Sequence, residues 1–100
     1  MELRHLITFE RIVHFKSYSK AAEALFVSQP AISAHISELE RDLGIKLFYR
    51  HKSPIQLTAG GMILFEYSKQ ILELVKQATD AIVYSCLFRP AFLCHPASYS

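Results

Sequence analysis

Three side chains that can read a polar ligand fall within one short stretch, SQPAISAHISELERDLG, from Ser28 to Gly44: Gln29, Ser33 and His35. Gln29 can accept and donate at once, as a bidentate contact to the edge of an adenine requires; Ser33 can reach a base or a phosphate, and His35 can donate or accept. Ser28 to Ala31 add free backbone N–H groups at the positive end of a helix dipole, where a phosphate is stabilised without its sequence being read. A second candidate is Arg50-His51-Lys52, the densest basic cluster of the chain, which phosphates or a minor groove can accept. Each has a plainer reading, as polar helix surface for Gln29 and Ser33 and as a solvated hairpin tip for the cluster. Bond-making chemistry is not expected. The chain has no HExxH and no phosphate-cradling glycine loop, its five histidines are scattered, and its carboxylates lie mostly on solvated helix faces.

The stretch that carries these groups reads as one helix with two faces. Ser28 is a good N-cap, Pro30 falls in the first turn where its missing N–H costs nothing, and Gly44 is placed to stop the helix. Ile32, Ile36, Leu39 and Leu43 form the apolar face that must be buried. Gln29, Pro30, Ser33, Ala34 and Ser37 form the other, with His35 to one side, and such small or polar groups suit a groove. Glu38, Glu40 and Asp42 crowd the second half of the helix, which favours docking by its N-terminal end.

The remaining segments are positioned around that helix. Glu2 to Phe15 is a scaffold helix with an apolar band of Leu3, Leu6, Phe9 or Ile7, Ile12 and Val13. Ser19 is the expected cap of a short helix from Lys20 to Leu25, whose Ala21-Ala22 pair lets another helix approach closely. Phe26-Val27 make the turn that leads into Ser28, giving a helix-turn-helix over about 18–37. After Gly44 the pattern alternates, so Lys46–Arg50 and Ile55–Leu57 are expected to pair as a wing over about 46–57, with His51-Lys52-Ser53-Pro54 at its tip. Thr58 then caps a long helix over 59–84. Leu64, Tyr67, Ile71, Leu74, Val75, Ala78 and Ile82 form its apolar stripe, interrupted by Ser68, and Glu66, Lys69, Glu73, Lys76 and Asp80 its wet face. At roughly 40 Å such a helix is longer than so small a domain can cover, and a second copy of the chain is the simplest cover. Packing back on the first helix is the alternative, and the two are compatible if only the first turns pack back.

Length and charge bound these readings. One hundred residues at 51% hydrophobic content support one small domain, and a net charge of +2 requires any cationic surface to be local. Glu2, Arg4, His5 and Glu10 interrupt any apolar leader, and Arg89 and Pro90 break the apolar run from Ala81 to Cys94. A cytoplasmic protein with no membrane segment is therefore expected. Cys86 and Cys94 lack CxxC spacing and with His95 lack a fourth ligand, so no metal site and no cofactor are expected.

The run KAAEALFVSQPAISAHISELERDLGIKLFYR, from Lys20 to Arg50, with Leu57-Thr58 and Gly60-Gly61 after it, resembles the N-terminal winged helix-turn-helix domain of the LysR-type transcriptional regulators. The Ala-Ala pair, Ser-Gln-Pro-Ala, Leu39-Glu40, Leu43-Gly44, Leu47-Phe48 and Arg50 stand in the family's order and spacing, and the match runs from Met1 to about Ile82. The resemblance implies a mainly α fold: three helices plus a two-stranded β wing over 1–58, then a linker helix that pairs two subunits. It further implies that Gln29, Pro30, Ala31, Ser33 and His35 meet double-stranded DNA in the major groove, that Lys20 meets phosphate, and that Arg50 serves at the wing. Ala34 departs from the Arg or Lys many members carry, so weaker binding, or greater reliance on the wing and on methyl contacts to thymine, is expected. Residues 85–100 do not continue the pattern and match a shifted frame, a truncated gene or a cloning remnant; no small-molecule effector site is expected in this chain. The function expected is that of a dimeric, sequence-specific regulator binding an interrupted inverted repeat. The alternative is a truncated regulator that pairs with full-length relatives and interferes with them.

Overall fold

A computed structural model describes residues 1–49 and 53–87. Among these residues four helices follow one another: α1 (Leu3–Phe15), α2 (Tyr18–Leu25), α3 (Gln29–Leu43) and α4 (Ala59–Leu87). Residues 1–70 form one compact unit and the chain from Ile71 a second, so the first turns of α4 belong with α1 to α3.

Local chemistry sets the helix ends. α2 begins at Tyr18, two residues before the expected start, because Ser17 rather than Ser19 is its cap. Ser17 holds an extended backbone and its Oγ accepts from the Lys20 N–H at 3.1 Å. Ser19 lies inside the first turn and uses its Oγ elsewhere. α1 and α2 end on residues in the left-handed region without being glycine, Lys16 at φ 53° and Phe26 at φ 58°. At the second of these, the Phe26 and Val27 N–H groups return to carbonyls of the last turn of α2, which makes the bend compact. Ser28 caps α3 by accepting from the Ala31 N–H at 3.2 Å, and Gly44 closes it at φ 71° with its N–H on the Glu40 carbonyl at 2.8 Å.

The core gathers the buried faces of these helices. Leu6, Phe9 and Ile12 from α1, Ala21 and Ala22 from α2, and Ile32, Ile36 and Leu39 from α3 are buried together with Leu47 and Phe48. Each large member contributes roughly 2 kcal/mol of apolar burial. The alanine pair, as its size suggests, is where α2 meets its neighbours. The Phe9 ring lies 5.4 Å from that of Phe48 and 6.5 Å, edge-on, from that of Phe65, so the start of α4 packs on α1. Leu43, expected in the apolar face, is 38% exposed, since α3 outruns the core by a turn.

The expected two-stranded wing is not seen: among the described residues no regular strand forms. One antiparallel bridge joins Phe48 and Leu57, flanked by Tyr49 N–H to Gln56 O at 3.0 Å and Thr58 N–H to Leu47 O at 2.9 Å. Among the described residues the ladder goes no further, because its donors are committed elsewhere. Ile45 N–H goes to the Glu40 carbonyl, Leu47 N–H goes to the Glu40 carboxylate at 2.7 Å, and Pro54 has no N–H to give. Arg50, His51 and Lys52, and the tail from residue 88 on, lie outside the described residues.

Thr58 heads α4. Its Oγ1 accepts from the Gly61 N–H at 3.0 Å and donates to the Lys46 carbonyl at 2.6 Å, pinning the helix start to the segment after α3. Gly61 is buried, and a Cβ on it would come within 2.2 Å of the Leu47 carbonyl oxygen. The Gly60-Gly61 pair, which reads in sequence as a flexible element, is a packing device. No helix among the described residues is long and apolar enough to cross a membrane.

Candidate nucleic-acid interface

α3 presents the expected face. Ser28, Gln29, Pro30, Ser33, Ala34 and Ser37 are exposed, and Ala31 is half-buried beside them. Small side chains keep this surface low, so an opposing surface can come close to the helix backbone. Gln29 is not a free rotor. Ser19 Oγ donates to its Oε1 at 3.2 Å, so the first turn of α2 holds the amide at the head of α3. The second lone pair of that oxygen and both amide hydrogens stay available, which still permits a two-point contact to a base edge.

The helix N-terminus is narrower as an anion site than the sequence suggests. Pro30 has no N–H, and the Ala31 N–H is taken by Ser28 Oγ. Ser28 and Gln29 therefore supply the N–H groups an oxyanion can use, at the positive end of the α3 dipole. Lys20, in the first turn of α2, is exposed beside Ser19 and carries the cation expected to meet phosphate.

His35 is the residue the structure moves away from the face. It is half-buried, its Nδ1 lies 2.8 Å from Thr8 Oγ1 on α1, and its ring centroid is 5.4 Å from that of His5. Its work is to join α3 to α1, with one ring nitrogen left over. His5 beneath it is buried, with Nδ1 accepting from the Glu2 N–H at 3.5 Å and Nε2 at 3.0 Å from Glu38 Oε2, outside aligned hydrogen-bond geometry. These internal partners were missed in sequence because a polar residue on α1 at position 5 or 8 carries no mark of which helix it will face.

The carboxylates of α3 are drawn off the groove face by partners behind and beside it. Glu38 faces His5, Glu40 accepts from the Leu47 N–H at 2.7 Å with Lys46 Nζ at 3.8 Å, and Asp42 pairs with the Met1 amino group at 2.9 Å. The hydrogen bond from that amino group, aided by Arg41 and His5, holds the Asp42 carboxyl below its usual range. The N-terminal half of α3 thus carries no negative charge, and in the rest of the helix Glu40 and Asp42 each stand beside a cationic partner.

Among the described residues no three His, Cys, Asp or Glu side chains stand together as metal ligands. Of the expected stripe on α4, Tyr67, Leu74, Val75, Ala78 and Ile82 are exposed, Leu64 and Ile71 half-buried.

Residues 3–62 match the model of the bacterial regulatory helix-turn-helix proteins of the lysR family. The HTH-type transcriptional regulator YtlI of Bacillus subtilis (strain 168) is 50% identical over 72 residues, which is 72% of this chain and 23% of that protein. The regulator BenM of Acinetobacter baylyi is 40% identical over 77 residues, 77% of this chain and 25% of its own length. Among solved structures, BenM_DBD in complex with benA site 1 DNA superposes with a TM-score of 0.83 at 35% identity, over 89% of this chain and 100% of that one. The chain spans about a quarter of the length of the curated relatives it matches. With the helix order, the capped turn between α2 and α3 and the family match over residues 3–62 all in agreement, the chain belongs to the lysR family of bacterial regulatory helix-turn-helix proteins.

Proposed function

We propose that this chain binds duplex DNA as a two-fold dimer and regulates transcription, with α3 in the major groove. The exposed, carboxylate-free N-terminal half of α3 carries the reading, and the likeness to a domain solved on DNA supports it. Gln29 and Ser33 read base edges, Pro30, Ala31 and Ala34 allow close approach, and Ser37 stands one turn further along. Ser28 N–H, Gln29 N–H and Lys20 hold phosphates, and Arg50, His51 and Lys52 act at the wing tip. His35 supports the face from the side. Dimerisation runs through Leu64, Tyr67, Ile71, Leu74, Val75, Ala78 and Ile82, four of which are more than two-fifths exposed: Tyr67 60%, Leu74 64%, Val75 42% and Ile82 64%. A contiguous apolar surface of that kind on a helix asks for a partner of the same shape. The place of action is where a bacterial regulator meets its DNA, the cytoplasm.

Two-fold pairing sets the two α3 helices on half-sites about one helical turn apart or a multiple of it, so the site is an interrupted inverted repeat. Selection of the folded chain on a random duplex pool, followed by sequencing of the retained DNA, tests this. Enrichment of such a repeat is expected. A folded sample that retains no duplex overturns the DNA-binding reading and leaves pairing with relatives as the function.

A further inference from the structure

The exposed face of α3 carries no fixed positive charge until its last turn, where Arg41 supplies one. Arg41 lies on the same line as the small residues of that face. It follows Ala34 by seven residues and Pro30 by eleven, so each of the two falls within about 20° of it around the helix axis, one on either side. The acidic neighbours sit to either side and are engaged: Glu38 with His5, Glu40 with the Leu47 N–H, Asp42 with the Met1 amino group. Arg41 itself is exposed and makes no ion pair among the described residues. In the last turn of α3 it complements the helix dipole and helps hold the neighbouring Asp42 carboxyl low, and its guanidinium remains exposed to solvent.

Beside it lies a second cation. Lys46, 63% exposed, lines the same shallow cavity of about 280 Å3 as Ser37, Arg41 and Ile45, and its Nζ is held loosely, 3.8 Å from Glu40. Glu40 is the one carboxylate in the cavity wall, and its other oxygen is bound to backbone. The balance of charge there is positive.

The spacing along α3 matters as much as the charge. From Gln29, whose N–H heads the helix, to Arg41 is about 18 Å of helix rise, enough to span from one backbone to the other. A major groove is about 12 Å wide between its phosphate backbones. We propose that Arg41, with Lys46 beside it, is a second phosphate clamp that grips the DNA strand across the groove from the one met by the N-terminal end of α3. This assignment rests on the DNA-binding reading above and adds a contact at the C-terminal end of the helix.

The test is the salt dependence of affinity for the enriched duplex and for a scrambled one, with the full chain and with Arg41→Gln, Arg41→Lys, Lys46→Gln and Lys76→Gln. Losing one phosphate contact lowers the slope of log affinity against log salt by about 1 and weakens specific and scrambled duplex alike. Arg41→Gln is expected to do this, with several-fold weaker binding at near-physiological salt, Lys46→Gln to do it to a smaller extent, and Arg41→Lys to restore the slope. Lys76→Gln, on the wet face of α4, is expected to leave it unchanged. A parent chain that binds with a steep slope while Arg41→Gln matches it in slope and affinity overturns the clamp and leaves the DNA-binding reading standing; no binding by the parent overturns both. Loss of preference for the enriched site with the slope intact makes Arg41 a base reader, and an equal slope change in Lys76→Gln makes the effect one of net charge; either result overturns the clamp.

Discussion

Ser33 stands where the chemistry of the α3 face is most exposed to test, because its side chain is small, solvent-facing and outside the core. Ser33→Glu puts a carboxylate into the proposed groove, between its phosphate backbones, without touching a packed residue. Affinity for duplex should fall at least about tenfold, since like charges juxtaposed at an interface cost several kcal/mol. The thermal midpoint should stay within about 2 °C. Retained affinity in an electrophoretic or fluorescence titration would remove α3 from the groove. Tyr18 offers a test of the scaffold instead. Burial, with a smaller contribution from the charge of Glu40, raises its phenol above the ordinary value. The folded chain therefore keeps that proton at a pH where the unfolded chain has lost it. The associated stability is complete below about pH 10 and drains away as pH rises from there toward the folded-state value. Tyr18→Phe cannot lose a proton, so denaturant midpoints taken from pH 8 upward should show the variant gaining on the parent through that window. Parallel curves would mean the hydroxyl is hydrated. The residue scale is also where sequence reading stops short for His35. Its polar type and helical position suited a groove contact, and what decides its place is Thr8, 27 positions earlier.

At the scale of elements, most of α1, α3 and α4 is legible in the sequence. Apolar spacing names Ile32, Ile36 and Leu39 as buried, and Ser28, Gly44 and Thr58 mark ends by side-chain chemistry that is local to each end. What is not legible depends on contacts between elements. Two serines compete for the cap of α2, and Ser19 loses because its hydroxyl reaches Gln29 on another helix. Among the described residues the wing is a single bridge, because Glu40, on α3, takes a backbone donor that alternation alone assigns to a strand. Gly61 shows the same limit. A glycine pair in a first turn reads as flexibility, whereas the buried one admits the Leu47 backbone. Adding a methyl there meets carbonyl oxygen at 2.2 Å and the carbonyl carbon at 3.1 Å, atoms that cannot swing aside, while at Gly60 the nearest atom is the terminal methyl of the exposed Ile45 at 2.4 Å. Gly61→Ala should therefore cost about 2–3 kcal/mol of overpacking, a fall of 10 °C or more in Tm for a domain of about this size. Gly60→Ala should lie within about 0.5 kcal/mol of the parent, since Ile45 can rotate and alanine favours the helix. Equal losses in the two variants would show that backbone freedom, not the approach of Leu47, is why glycine stands there.

For the whole molecule, the division falls within α4. Up to Gln70 this helix is tied into the first unit: Gly61 packs on Leu47, Phe65 meets Phe9, and Ser68 is fully buried. From Ile71 the same helix runs on for four more turns with Leu74, Val75, Ile82, Val83 and Tyr84 exposed. An isolated helical run of that length is marginal in water and draws its stability from whatever covers its apolar face. Local propensity is therefore a poor explanation for it, and pairing with a second copy is a sufficient one. Leu74→Lys and Ile71→Lys place a charge in the middle of the stripe, where a paired helix would have to desolvate it. Both should convert a dimeric sedimentation coefficient to a monomeric one, and both should weaken binding to a two-half-site duplex far more than to a single half-site. Leu74 is the stricter of the two, because at 64% exposure it has little to do within the monomer and its loss should leave the melting of residues 1–70 intact. A sedimentation coefficient unchanged in both variants would remove the stripe from the dimer. The DNA preference would then have to come from one α3 at a time, and the selected site would be a single half-site in place of an inverted repeat.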